Sequence, residues 1–194
     1  MAYRIIVVEQ LLGDEFNKAG LLNIGYLHAL NYSKFNCFVF HDIDYLPNNL
    51  INNYDCKHSP MSKGRCILVR NKLLHRSVPH FWGGVYAANQ STFEAVNGMS
   101  NLFFGWGGED EDIGIRFRNN FKNLAYTNCH TDSYVINRHE HTRSSTKVKS
   151  KLLKCLKCSA LSRMHKDGLN SLKYHLFEQL VHLPRPRIIK THLT

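Results

Sequence analysis

The sequence predicts an α/β fold, a mixed sheet flanked by helices, on three observations. "YRIIVVEQ" is a short β-branched run ended by polar residues, which reads as a buried strand. "FNKAGLLNIGYLHAL" then places Phe16, Ala19, Leu22, Tyr26 and Leu30 at helical spacing on roughly one face. "FNCFVFHDIDYLP" follows as an apolar strand that stops at carboxylates and is closed by Pro47. Strand, helix, strand is a βαβ unit, so the two strands are expected to lie parallel in one sheet.

The later elements follow in order. "CILV" is a short strand, and "HFWGGVYAAN" is another whose paired glycines allow close approach of backbone or ligand. "STFEAVNGMSN" reads as a helix with Ser91 or Thr92 as N-cap and Gly98 as its end. "DEDIGIRFRNNF" is helical with an acidic start, as the helix dipole favours, and "SYVIN" is a strand leading into "RHEH". From 142 to 165 the chain is Lys/Ser-rich and weakly periodic, which predicts a mobile basic loop plus a short helix. No repeat or domain boundary interrupts residues 1–194.

Composition narrows the function classes. No stretch reaches the ~18 to 20 apolar residues of a membrane span, and "MAYRIIVVEQ" lacks a signal-peptide core. The net charge of +10 would suit a polyanion, but "RSSTKVKSKLLKCLKCSALSRMHK" and "RPRIIKTHLT" carry much of it, so a solvated basic face accounts for it equally well. No nucleic acid partner is expected. Six cysteines are too few for a disulfide scaffold and too scattered for a four-thiolate zinc site. Cys37 and Cys56 flank one strand and its loop at a separation that a bridge can close where geometry permits. Cys155 and Cys158 read as a helical i, i+3 pair.

Three groups of residues carry chemistry. Asp42 and Asp44 alternate at the C-terminal end of a buried strand, the edge where ligands bind in open α/β sheets. Two carboxylates there repel unless one is protonated or a hard divalent cation lies between them. His139 and His141 share one side of an extended chain, and an imidazole pair added to Asp-x-Asp suits Mn²⁺ better than Mg²⁺. In "FFGWGGEDEDIG", Gly105, Gly107 and Gly108 surround Trp106 in a loop able to swing a large ring over a ligand. Taken singly, each of the four carboxylates that follow reads as part of an acidic helix start; one positioned to accept a proton from a sugar hydroxyl would be a general base.

The ordered set "FNKAGLLNIG", "CFVFHDIDYLP", "FWGGV", "NGMSNLFFGWGGEDED" and "DGLNSLKYH" resembles the β-1,4-galactosyltransferases, inverting enzymes of the Golgi lumen. The resemblance implies a GT-A type nucleotide-diphospho-sugar transferase fold and transfer from UDP-galactose to a 4-hydroxyl of N-acetylglucosamine or xylose on a glycan or glycoprotein. It implies Mn²⁺ on Asp44, His139 and His141, and a donor site of Asp42, Lys18, Phe81, Gly83, Gly84 and Trp106. Asp110 matches the catalytic base, Glu109 and Trp106 the acceptor site, and Cys37 with Cys56 a disulfide formed in an oxidising lumen. Glu111 and Asp112 are left as bystanders that start a helix.

Departures from the family pattern bear on substrate. Ile136 stands where N-acetylglucosamine-acting members have the Met of Met-x-x-His, and "RHEH" resembles the H-x-H of the xylosylprotein branch. Phe81 stands where a Tyr or a smaller aliphatic residue separates galactose from N-acetylgalactosamine users, and its bulk favours galactose. Lys18 replaces the usual Arg, keeping charge without bidentate geometry. Relative to the family, the chain starts after the uridine-binding strand, stem and membrane anchor. A partial catalytic domain lacking its N-terminal strand or strands is therefore expected, with a UDP-N-acetylgalactosamine-using β-1,4 transferase or a catalytically inactive sugar- or nucleotide-binding relative as the alternatives.

Overall fold

The computed structural model describes residues 3–48, 52–69, 72–75, 81–129, 132–136, 147–180 and 187–193. In chain order the elements begin with β1 (Ile6–Gln10), α1 (Lys18–Leu30), β2 (Phe38–His41) and β3 (Tyr45–Pro47). Next come β4 (Met61–Ser62), β5 (Cys66–Val69), β6 (Lys72–His75), β7 (Val85–Ala88), α2 (Gln90–Ala95) and α3 (Glu109–Asn120). The chain continues through β8 (Ala125–Tyr126), β9 (Tyr134–Ile136), α4 (Lys147–Cys158), α5 (Ala160–Met164), β10 (Tyr174–Leu180) and β11 (Arg187–Leu193). The strands form three small sheets in the orders β1-β11-β10, β2-β7-β4-β8 and β3-β9-β5-β6. Parallel and antiparallel pairs mix: β1 with β11, β4 with β8 and β5 with β9 run parallel, whereas β2 with β7 and β3 with β9 run antiparallel.

The expected βαβ unit is not what forms. β1 pairs with β11 and β2 pairs with β7, so the two strands flanking α1 belong to different sheets. The apolar run through Pro47 is also split. Asp42 N donates to Gly84 O at 2.7 Å and Tyr45 N to Asp42 O at 3.1 Å, which turns the chain at the carboxylates and restarts it as β3 in the third sheet. The split follows from the sequence, because Asp42 and Asp44 cannot continue a buried apolar strand without solvation or partners.

Helix α1 starts at Lys18, with Asn17 as N-cap accepting from Gly20 N at 2.8 Å. Phe16 lies outside it and is exposed. The buried residues are Ala19, Gly20, Leu21, Asn23, Ile24, Tyr26, His28 and Ala29, more than the single face expected, with Leu22 and Leu30 only partly buried. Burial of Asn23 is possible because its amide is saturated: it donates to Met99 O and Asn101 Oδ1 and accepts from Met99 N. The N-cap of α2 is Asn89, whose Oδ1 accepts from Thr92 N at 2.8 Å, rather than Ser91 or Thr92. A twelve-residue α4 and a five-residue α5 occupy most of 142–165, and 142–146 lie outside the described residues.

The core sits between α1, α2, α3 and the second sheet. Phe38 and Phe40 point inward at strand period; Phe40 stacks on Tyr86 at 4.6 Å and contacts Phe93 at 4.4 Å, while Trp82 meets Phe117 at 4.8 Å. Two disulfides join the frame: Cys37–Cys56, as the family resemblance implied, and Cys66–Cys129. The second joins β5 of the third sheet to the segment after β8 of the second. Cys155 and Cys158 are exposed thiols one helical turn apart on α4.

Candidate active site

Three elements converge beyond the C-terminal end of β2. The β2–β3 turn supplies Asp42 and Asp44, the N-terminus of α3 supplies Glu109 and Asp110, and the first residue of α1 is Lys18. Lys18 Nζ lies 2.8 Å from Asp110 Oδ1, 2.9 Å from Glu109 Oε1 and 3.4 Å from Asp42 Oδ2. Three carboxylates against one ammonium leave this group two negative charges in excess (−3 + 1) when all are ionised. Burial is the largest influence on Lys18 and pulls its pKa down, yet Asp110, Asp42 and Glu109 together hold it well above the ordinary lysine value. Asp42 is pushed up to about 6, first by burial, with Lys18 opposing and the Asp110, Asp44 and Glu109 charges adding. One cation thus cannot satisfy all three carboxylates. Glu109 Oε2 is itself buried without a hydrogen-bond partner among the described residues.

Glycines make this convergence possible. A Cβ on Gly83 would stand 2.3 Å from Asp110 Oδ2 and 2.7 Å from Phe81 Cζ, so Asp110 and the Phe81 ring close over a backbone that has no side chain. Gly84, at φ +76°, would place a Cβ 2.3 Å from the Tyr45 ring. The loop before α3 holds Gly105, Gly107 and Gly108 at φ +71°, +99° and +100°, with Trp106 between them 61% exposed. Gly105 N donates to Phe16 O at 2.6 Å, tying this loop to the chain just before α1.

The structure therefore brings Lys18, Asp42, Phe81, Gly83, Glu109 and Asp110 together, with Gly84, Asp44 and Trp106 on adjoining backbone. His139 and His141 lie outside the described residues. Antiparallel pairing sets Tyr45 opposite Ile136, which brings the end of β9 to the start of β3 beside Asp44. His139 and His141 follow Ile136 by three and five residues in the sequence. Among the described residues no group of three His, Cys, Asp or Glu side chains is arranged to hold a metal ion.

Two features of the site were not legible in the sequence. Tyr86 is buried, with a hydroxyl lacking a hydrogen-bond partner among the described residues; burial first, then the Asp110 charge, resists its ionisation. Asp112 is not a bystander. It is fully buried, with Oδ2 2.8 Å from Arg116 Nε, an ion contact without the alignment of a hydrogen bond, and Oδ1 2.7 Å from Arg163 Nη2. Arg116 and Arg163 also pair with Asp167, whose carboxylate accepts from Ser100 Oγ and Asn101 N. Glu111 is exposed and meets only Lys157 among the described ion pairs, at 2.6 Å.

The N-terminal region of glycosyl transferase group 7 matches residues 1–57, and the N-terminal domain of galactosyltransferase matches residues 67–142. Human β-1,4-galactosyltransferase 4 is 35% identical over 176 residues, covering 90% of this chain and 49% of the relative. The chain belongs to the β-1,4-galactosyltransferase family. Bovine β-1,4-galactosyltransferase 1 is 34% identical over 178 residues, covering 91% of this chain and 43% of the relative. The chain thus spans about half the length of the curated relatives it matches. The catalytic domain of a Drosophila β-1,4-galactosyltransferase 7, solved with xylobiose, superimposes with a TM-score of 0.73 at 26% identity, over 100% of this chain and 81% of that one. A mutant of that enzyme with manganese, UDP-Gal and xylobiose shares the fold at a TM-score of 0.75 and 23% identity. The GT-A type fold of the β-1,4-galactosyltransferases is therefore the fold of this chain.

Proposed function

We propose that this chain transfers galactose from UDP-galactose to a 4-hydroxyl of N-acetylglucosamine or xylose on a glycoconjugate, with inversion, in the Golgi lumen. The observation carrying this reading is the meeting of the strand-end carboxylate Asp42 with the helix-start carboxylates Glu109 and Asp110 around Lys18. Donor-side and acceptor-side groups of the family pattern thereby share one site. Both disulfides suit an oxidising compartment.

Asp110 accepts the proton of the acceptor hydroxyl as that oxygen attacks the anomeric carbon from the face opposite the diphosphate. Glu109 holds neighbouring acceptor hydroxyls. Asp42 and Lys18 line the donor side, and the Phe81 ring, closed against Gly83, favours galactose over a sugar bearing an acetamide. Trp106, on its glycine-flanked loop, covers the donor and excludes water that would hydrolyse it. Asp44, His139 and His141 would hold Mn²⁺, a carboxylate and imidazole donor set matched to that ion. When bound, Mn²⁺ supplies positive charge that stabilises the leaving diphosphate.

The test is to incubate the purified chain with UDP-galactose and Mn²⁺ and either N-acetylglucosamine or xylose acceptors. A β-1,4-linked galactosyl product that disappears with chelator is expected. No turnover on either acceptor, with robust N-acetylgalactosamine transfer, would overturn the donor assignment.

A further inference from the structure

Building on the transferase reading, we propose that Lys18 is a positioning residue that fixes which carboxylate oxygen of Asp110 takes the acceptor proton. An ammonium offers three N–H donors, and the Lys18 ammonium lies against three carboxylates carried by two separate segments. Its bond to Asp110 is the shortest, 2.8 Å to Oδ1. With Oδ1 engaged, Oδ2 is the oxygen that Asp110 presents. It lies over Gly83, where a Cβ would stand 2.3 Å away, and the Phe81 ring closes the same space with Cζ 2.7 Å from that Cβ position.

The terminal torsion of an aspartate is broad and roughly two-fold, so a carboxylate without such a clamp exchanges its oxygens freely. Lys18 removes that freedom from one side and Gly83 leaves room for the result on the other. Asp42, at 3.4 Å from the same ammonium, ties the donor-side turn to this orientation. The step balances. The acceptor O–H proton passes to Asp110 Oδ2 as the acceptor oxygen bonds to the anomeric carbon. The bond from that carbon to the diphosphate oxygen breaks, its electron pair leaves with UDP, and the proton is later lost to solvent. Lys18 neither gives nor takes a proton and touches no reacting atom; it acts through Asp110.

The experiment uses the full chain with UDP-galactose, Mn²⁺ and whichever acceptor the wild type galactosylates. Lys18→Met keeps the aliphatic stem and removes the donors. It should lower kcat about 100-fold, the loss that ~1 Å of misplaced catalytic geometry brings, with acceptor KM within about 2-fold of wild type. Lys18→Arg, which restores cation and donors, should recover most of kcat, as a merely structural contact would not require. If Lys18→Met does not fold, Gly83→Ala carries the test: it displaces Oδ2, and kcat should fall with acceptor KM kept. An undiminished kcat in either variant, or a loss confined to KM, overturns the proposal alone. An inactive wild type overturns the transferase reading, and this inference falls with it.

Discussion

Two acidic clusters share helix α3, and they are built on opposite principles. Behind the helix, Asp112 and Asp167 meet Arg116 and Arg163: two carboxylates, two guanidiniums, nearly all of it out of water. In front, Asp42, Glu109 and Asp110 meet Lys18 alone among the described residues, with side chains 11 to 29% exposed. The rear cluster is charge-balanced and pins α3 to α5 and to the loop at Ser100 and Asn101. Excess negative charge distinguishes the front cluster, three carboxylates against one ammonium. Balance marks scaffold; imbalance beside solvent marks a place for a ligand.

The contrast can be broken at several points. Asp112→Asn leaves two buried guanidiniums short of a counter-charge and should cost about 3 to 5 kcal/mol, read as a drop in the denaturant midpoint. The disulfides test whether the frame behind the site is held more tightly than the strand in front. Replacing Cys66 and Cys129, 63 residues apart, with Ala should cost about 4 kcal/mol, and the Cys37–Cys56 pair, 19 apart, about 3 kcal/mol, on chain entropy. A smaller effect comes from His41, which is bonded to Asp42 O at 2.8 Å and Tyr54 OH at 3.2 Å. Burial holds its imidazole below the ordinary value, against the pull of the Asp42 carbonyl and the Asp44 charge. The neutral ring is therefore the folded form's preference. Its contribution is present above about pH 6.5 and is lost as pH falls below it, so Tm should drop toward about pH 5 and drop less in His41→Gln. Glu111→Gln, at the exposed pair with Lys157, should change stability by no more than about 0.5 kcal/mol.

Much of this was legible in the sequence because it rests on local signals. The β-branched run of β1, the acidic start of α3 and the glycines around Trp106 each declare themselves within a dozen residues. The family resemblance then pointed to the Cys37–Cys56 bridge, which the structure forms. What failed was non-local. Strand, helix, strand predicted neighbouring strands, but pairing of β1 with β11 depends on residues 181 positions later (187 − 6). Cys66 and Cys129 lie far apart in the chain and meet only through the sheets. Asp112 looked like one more carboxylate in "EDED". Only the rotation of α3, which sends Asp112, Ile113, Arg116 and Phe117 inward, separates it from Glu111. Lys18 showed its charge but not its three partners, since Asp42 and Asp110 lie 24 and 92 residues away.

The most direct measurement compares Asp110→Asn with Asp112→Asn in one assay of turnover, UDP binding and Tm. Asp110→Asn should lower kcat by about 10² to 10⁴, the range of a general base, with Tm and UDP affinity unchanged. Asp112→Asn should lower Tm first and activity only as the fold is lost. Full turnover in Asp110→Asn, or a fall in Tm matching that of Asp112→Asn, would contradict the division of labour along α3.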